Sequence, residues 1–177
     1  MKLTATMLLL AAALAAQTNT KSALIGTSQG MYAIAKNDIT RSAEKIPENL
    51  WSFQPTPEVR TIGQLFAHVA DAQYEFCGVA SEGKAVDKGI EKTAKTKADI
   101  TAALKEAFAY CDAAYTRMTD ASAVEMVGFF GRQLTRIGAM DFNIAHTMEH
   151  YGNLVTYMRI KGIVPPSSEP APGRRGE

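Results

Sequence analysis

Ile100, Leu104, Phe108, Cys111 and Tyr115 recur at i, i+4, i+8, i+11 and i+15. That spacing returns side chains to one face of a 3.6-residue helix and cannot line one face of a strand. It predicts a helix from Lys97 to Met118. Three other segments carry comparable signals. Ser22 to Lys45 brings Leu24, Met31, Ile34, Ala35, Ile39 and Ile46 round at threes and fours, and Pro47 stops it. Thr61-Ile-Gly-Gln64 is a capping-box signature that opens a helix running to about Val79. Arg132 to Lys161 reads as the last helix, with Gly162 at its C′ position and Pro165-Pro166 barring continuation. Four amphipathic helices with no convincing strand pattern predict an all-α four-helix bundle.

The connections are too long for tight hairpins, so the order of the helices in space stays open. Glu48 to Arg60 holds Trp51, Phe53, Pro55 and Pro57, and the two aromatic rings are expected to plug one end of the bundle. Ser81 to Thr96 is a Lys-, Glu- and Gly-rich loop. Within the connection Thr119 to Gly131, Val124 to Phe130 reads as a short extended or helical piece.

The two ends differ from the middle. Lys2 followed by the apolar run Leu3 to Leu14 and by Ala13-Leu14-Ala15 has the layout of a secretory signal, with cleavage after Ala15 or nearby. The run is too short for a comfortable membrane span. Residues 1–16 are therefore expected to be a signal peptide, 17–166 the bundle, and 167–177, rich in Pro, Gly and Ser, a disordered tail. The implied location is outside the cytosol, periplasmic or extracellular. The 177 residues, 46% hydrophobic and 21% charged, suit one packed core, and a formal charge of +1 gives no electrostatic case for nucleic acid or an anionic membrane.

The chemistry-bearing residues are few. His146 and His150 stand four apart, one turn up the same helix face, and His68 near the middle of the second helix is the third of three histidines. Imidazoles facing each other across a bundle can hold a divalent metal, and three protein ligands leave a coordination position open. Spacing alone leaves a second reading, three ordinary core or surface histidines. Asp71 and Glu75 share the His68 side of the second helix, with Gln64, and could accept a ligand's free N–H or act as a general base. Asn153 and Tyr157 follow His150 on nearly the same stripe and could line a pocket. Cys77 falls on the opposite side of the helix from His68, and Cys77 and Cys111 read as small buried hydrophobes, their pairing undetermined.

Lys45-Ile-Pro-Glu-Asn-Leu-Trp51, followed by Pro55-Thr-Pro-Glu-Val-Arg-Thr-Ile-Gly-Gln-Leu-Phe-Ala-His68, resembles the DinB/YfiT-like superfamily. So does His146-x3-His150-x6-Tyr157-x-Arg159-x2-Gly162-x2-Pro165. The resemblance spans about Ser22 to Pro166 and implies a DinB-like bundle with a divalent metal on His68, His146 and His150. It implies zinc first, with nickel or iron as alternatives, and a homodimer. It also implies a metal-dependent hydrolase, or a thiol-type transferase or isomerase, acting on small molecules; by their placement on the helices, Asp71, Glu75 or Tyr157 could assist. The alternative is a module that binds metal or a small ligand without turnover. Asn153 departs from the Gln that many relatives carry, and the leader departs from the cytosolic thiol-transferases.

Overall fold

A computed structural model describes residues 22–170. The expected signal peptide lies outside the described residues. Each long helix starts where a side chain can take up a free backbone N–H. α1 (Ala23–Lys45) opens on Ser22, whose Oγ accepts from Ile25 N. α2 (Ile62–Glu82) opens on the Thr61–Gln64 capping box and closes at Gly83, which has φ 75°. α3 is a single turn, Ile90–Thr93. α4 (Lys97–Arg117) opens on a Thr96–Asp99 capping box. α5 (Asp120–Ala123) is again short. α6 (Arg136–Ile160) opens on Thr135 and ends in a Schellman turn. In that turn Ile163 N donates to Met158 O, Gly162 N donates to Arg159 O, and Gly162 has φ 71°.

Contacts between the long helices fix the topology that the connections had left open. Ser28 meets Tyr115, and Lys97 reaches the Ile46 carbonyl, so α1 and α4 run antiparallel. Cys77 meets Cys111 while Ile100 lies beside Gly63, so α2 and α4 run parallel. Gln73 bonds Thr147, and Arg136 bonds the Ala80 carbonyl, so α2 and α6 are antiparallel. Ser28 also donates to Asp141, and Glu169, just after α6, pairs with Arg41 and Lys45. α1 and α6 are thus parallel neighbours. The bundle is up-down-down-up, with α1 and α2 diagonal to each other. Its core is built from Ile25, Ile39, Phe66, Val69, Phe108, Tyr115, Met140, Leu154 and Met158. Trp51 closes one end as expected: it is buried on Phe66, and its indole N–H donates to Ile46 O.

Four expectations need correction. First, α6 begins at Arg136, because 132–135 form a strand. β1 (Met126–Phe129) and β2 (Arg132–Thr135) make an antiparallel hairpin, with Phe129 opposite Arg132. Strands of four residues are too short to show a period of two, and the turn, Phe130-Gly131, lacks the Asn-Gly or Asp-Gly signature. Second, the first residues of the expected disordered tail, 167–170, are packed on α6. Pro166–Ser168 forms a 3-10 turn, held by Tyr151 on Ser167 and by Arg159 on Ser168. Third, Leu24, Met31 and Ile34 face outward, Leu24 with 77% of its surface exposed. The buried stripe of α1 includes Ile25, Ser28, Tyr32, Ala35, Ile39 and Ser42, in which small residues alternate with large ones. Fourth, Cys77 and Cys111 form a disulfide from α2 to α4, with Cα atoms 5.3 Å apart and both side chains fully buried.

Candidate metal centre

α2 and α6 run side by side over most of their length, and their antiparallel register sets His68 opposite the His146–His150 turn. His146 Nε2 lies 3.3 Å from His68 Nε2 and 3.1 Å from His150 Nε2. One ring nitrogen from each residue falls within 4.8 Å of the others. The three rings pack mutually, with centroids 4.4–5.1 Å apart. Among the described residues this is the one cluster of histidine, cysteine and carboxylate side chains with a metal-holding geometry.

Burial favours the neutral form of His146 and His150. His146 is pushed down to about 3, by burial first and then by His150, His68 and Arg60. His150 is also lowered, by burial and then by His68, with Glu149 pulling slightly the other way. Neutral imidazoles present lone pairs, which a cation needs and which a charged cluster would not offer. The tautomer of His68 follows from its other nitrogen. Nδ1 lies 3.1 Å from Glu91 Oε2, and a carboxylate only accepts, so Nδ1 carries a proton and Nε2 is the atom turned to the other rings. His146 Nδ1 and His150 Nδ1 are buried without a hydrogen-bond partner. The donor set therefore fits a divalent metal bound through three Nε2 atoms, with the outer support concentrated on His68.

That support is a chain of charged groups. Arg60 Nε donates to Glu91 Oε1 at 2.7 Å. Burial alone would raise the Glu91 carboxyl, but the Arg60 hydrogen bond and charge, aided by His68, hold it below the usual range. Glu91 sits in the single turn α3, whose N-terminus is capped by Asp71. The Asp71 carboxylate accepts from Ile90 N and from Glu91 N, both at 2.8 Å.

The sequence-predicted residues divide accordingly. His68, His146 and His150 are brought together. Asp71 is near them but committed to the α3 backbone, so it positions Glu91. Tyr157 is not at the centre: its ring packs on Phe53 and its hydroxyl donates to Arg60 O at 3.2 Å. Glu75 faces the acidic cleft beside His68, raised by burial and further by Asp87 and Asp71, with His68 opposing. That cleft, about 580 Å³, shares Gln64 and Glu91 with a second of about 490 Å³ lined by Trp51, Thr61 and Lys97. Glu91 and Arg60 were not legible as site residues. Glu91 lies in the loop after α2 with no periodic relation to His68, and the only signal was a carboxylate within a polar stretch.

Residues 31–154 match the family model of the DinB superfamily, most of the chain and all three histidines. The chain belongs to the DinB superfamily. Among DinB proteins it is 25% identical to the uncharacterized protein YjoA of Bacillus subtilis (strain 168) over 130 residues, covering 72% of this chain and 84% of YjoA. The crystal structure of YjoA superposes with a TM-score of 0.62 at 22% identity, covering 77% of this chain and 94% of that one. A DinB-like protein from Bacillus cereus ATCC 10987 gives 0.67 at 16% identity, with coverages of 78% and 93%. The mycothiol-dependent maleylpyruvate isomerase gives 0.62 at 14% identity, covering 73% of this chain and 60% of the isomerase. The likeness to these structures shows a shared fold.

Proposed function

We propose that His68, His146 and His150 hold a divalent metal, zinc before nickel or iron, in an enzyme that hydrolyses small molecules or transfers groups between them. The observation that carries this reading is the convergence of three imidazole Nε2 atoms between α2 and α6, two of them on rings that burial favours as neutral. A metal held there would supply Lewis-acid polarisation of a substrate oxygen or sulfur and would lower the pKa of a water or thiol. The protein's own part is orientation. Glu91 fixes the His68 ring, Asp71 fixes Glu91, and Arg60 holds the Glu91 carboxylate charged. Glu75, in the adjoining cleft, is the carboxylate best placed to take or return a proton.

Metal analysis of the purified protein is the first test. Wild type should carry close to one metal per chain, and His146→Ala and His150→Ala should lose it. Unchanged metal content in both variants would end this reading. A screen of esters, amides and thiol conjugates, with added metal, then asks for turnover that depends on His68. The mycothiol-dependent isomerase neighbour is the reason to include thiol conjugates.

A second reading is a module that binds metal or a small ligand without turnover. It is favoured by the engagement of Asp71 and Tyr157 in backbone hydrogen bonds, which leaves few free acid–base groups at the centre. We further propose that the chain is exported and acts as a homodimer. The leader composition and the Cys77–Cys111 disulfide support export, since disulfides persist in oxidising compartments. The outward Leu24, Met31 and Ile34 support self-association. Detection of the mature chain in a periplasmic or secreted fraction, and sedimentation, test these two points.

A further inference from the structure

The three-histidine centre is asymmetric. Its His68 side is charged, with Glu91, Arg60, Asp71 and Glu75. Its His146 side is aromatic. The Phe76 ring stacks edge-on to His146 with centroids 5.2 Å apart and touches Phe142 at 5.1 Å and Phe130 at 6.1 Å. Phe129 joins Phe130 and Phe142 at 4.7 and 4.9 Å. Phe76 and Phe129 are buried, whereas Phe130 is 67% exposed and Phe142 42% exposed. An apolar wall thus runs without a break from a candidate metal ligand to solvent.

The hairpin's turn supplies a second observation. Phe130 has φ 45° and is the only described non-glycine residue with positive φ; Gly131 follows at 73°. A two-residue turn of this kind favours Asn or Asp at the first position, where a bulky side chain is strained. Phe130 therefore occupies a left-handed position while leaving most of its ring in water. Strained residues of this sort cluster where a side chain has a task outside the fold.

We propose that Phe130 and Phe142, backed by Phe76 and Phe129, bind an aryl group of the substrate whose polar, metal-binding group sits at the histidines. The proposal rests on the metal reading above and adds the substrate class to it. Its specificity comes from edge-to-face and offset ring contacts that an alkyl group of smaller area cannot match.

The test uses two probes that share one chelating head, benzohydroxamate and acetohydroxamate, titrated calorimetrically into the zinc-loaded protein. Zinc content is measured first. If wild type takes up neither zinc nor nickel nor iron, the metal reading fails and takes this one with it, before any hydroxamate is added. With zinc bound, benzohydroxamate should bind about tenfold more tightly than acetohydroxamate, as burial of a phenyl ring requires. Phe130→Asn and Phe142→Ala should each erode that preference while leaving zinc content and acetohydroxamate affinity unchanged. Phe130→Asn should also raise thermal stability, because it removes the strain. Equal affinity for the two probes in wild type overturns the proposal. So does a preference that survives both substitutions, including the case where Phe130→Asn converts a dimer to a monomer and the wall belongs to a second copy. Parallel loss of acetohydroxamate affinity in both variants would mark the rings as supports of the site and would also overturn it.

Discussion

Glu91 Oε2 lies 3.1 Å from Nδ1 of His68, a residue 23 positions earlier in the chain and on a different helix. The contact joins a carboxylate carried by the single turn α3 to the one histidine outside α6. A carboxylate in this position fixes ring orientation and raises ligand basicity. Glu91→Gln should weaken zinc affinity roughly 10–100-fold by competition with a chromophoric chelator. Helicity measured by circular dichroism should not change.

Asp71 acts one step further out. Asp71→Ala removes the acceptor for the Ile90 and Glu91 amides. It should cost about 1 kcal/mol in denaturant melts, as loss of a helix cap does. Zinc affinity should fall in the same direction as for Glu91→Gln, because Glu91 loses its anchor. In the Glu91→Gln background the further effect of Asp71→Ala on zinc affinity should be small. Full additivity would show that Asp71 acts independently of Glu91.

The metal-free protein should lose stability as pH falls. His146 is protonated in the folded chain only near pH 3 but in the unfolded chain near its ordinary 6.5, and His150 is lowered in the same direction. Between those values the unfolded state binds more protons, so stability rises with pH across the window and the histidine contribution is flat above it. Thermal melts in chelator from pH 3 to 8 measure this slope. A His146→Asn, His150→Asn double variant should show a shallower one.

The disulfide should be both stabilising and slow to reduce. It closes a 34-residue loop, so its removal in Cys77→Ala, Cys111→Ala should lower stability by roughly 3–4 kcal/mol on the chain-entropy account. Both side chains are 0% exposed, so a thiol reductant must wait for an opening event. Mass-shift labelling in native buffer should report reduction at the rate of local unfolding, accelerating with denaturant.

Gly78 is the glycine with least room among the described residues. An added Cβ would stand 2.9 Å from the Lys84 carbonyl and 2.9 Å from Val86 Cγ2. Gly78→Ala should cost on the order of 1–3 kcal/mol, as overpacking does. It should also displace the segment that leads to Glu91. A chelator titration would then show weaker zinc binding although no site residue has changed.

The parts of this fold readable from the sequence were those encoded locally. The capping box at Thr61 and Gln64, the Gly162 C′ position and the 3.6-residue stripe through Tyr115 need only neighbouring residues, and all are present. The histidines were readable as a set because three residues left few combinations. What escaped notice depends on long-range packing. Apolar residues lie all round α1, so periodicity could not say that Ile25 and Ile39 face in while Leu24 and Ile34 face out. That choice is made by α6, more than a hundred residues later. Glu91 reaches His68 only because Asp71 folds the loop back onto α2. The hairpin was hidden by a phenylalanine where turn chemistry calls for Asn.

The parallel pairing of α1 with α6 has a kinetic side. The first and last long helices of the described chain are neighbours, so the side of α1 that faces α6 has no partner until α6 itself has left the ribosome or, for an exported chain, the translocation pore. Folding cannot advance helix by helix from the N-terminus. The final closure is a high-contact-order step, slow relative to helix formation, during which an apolar surface waits uncovered. A chain stalled before α6 would carry that surface indefinitely, which makes the last helix the point of commitment between a native bundle and an aggregating one.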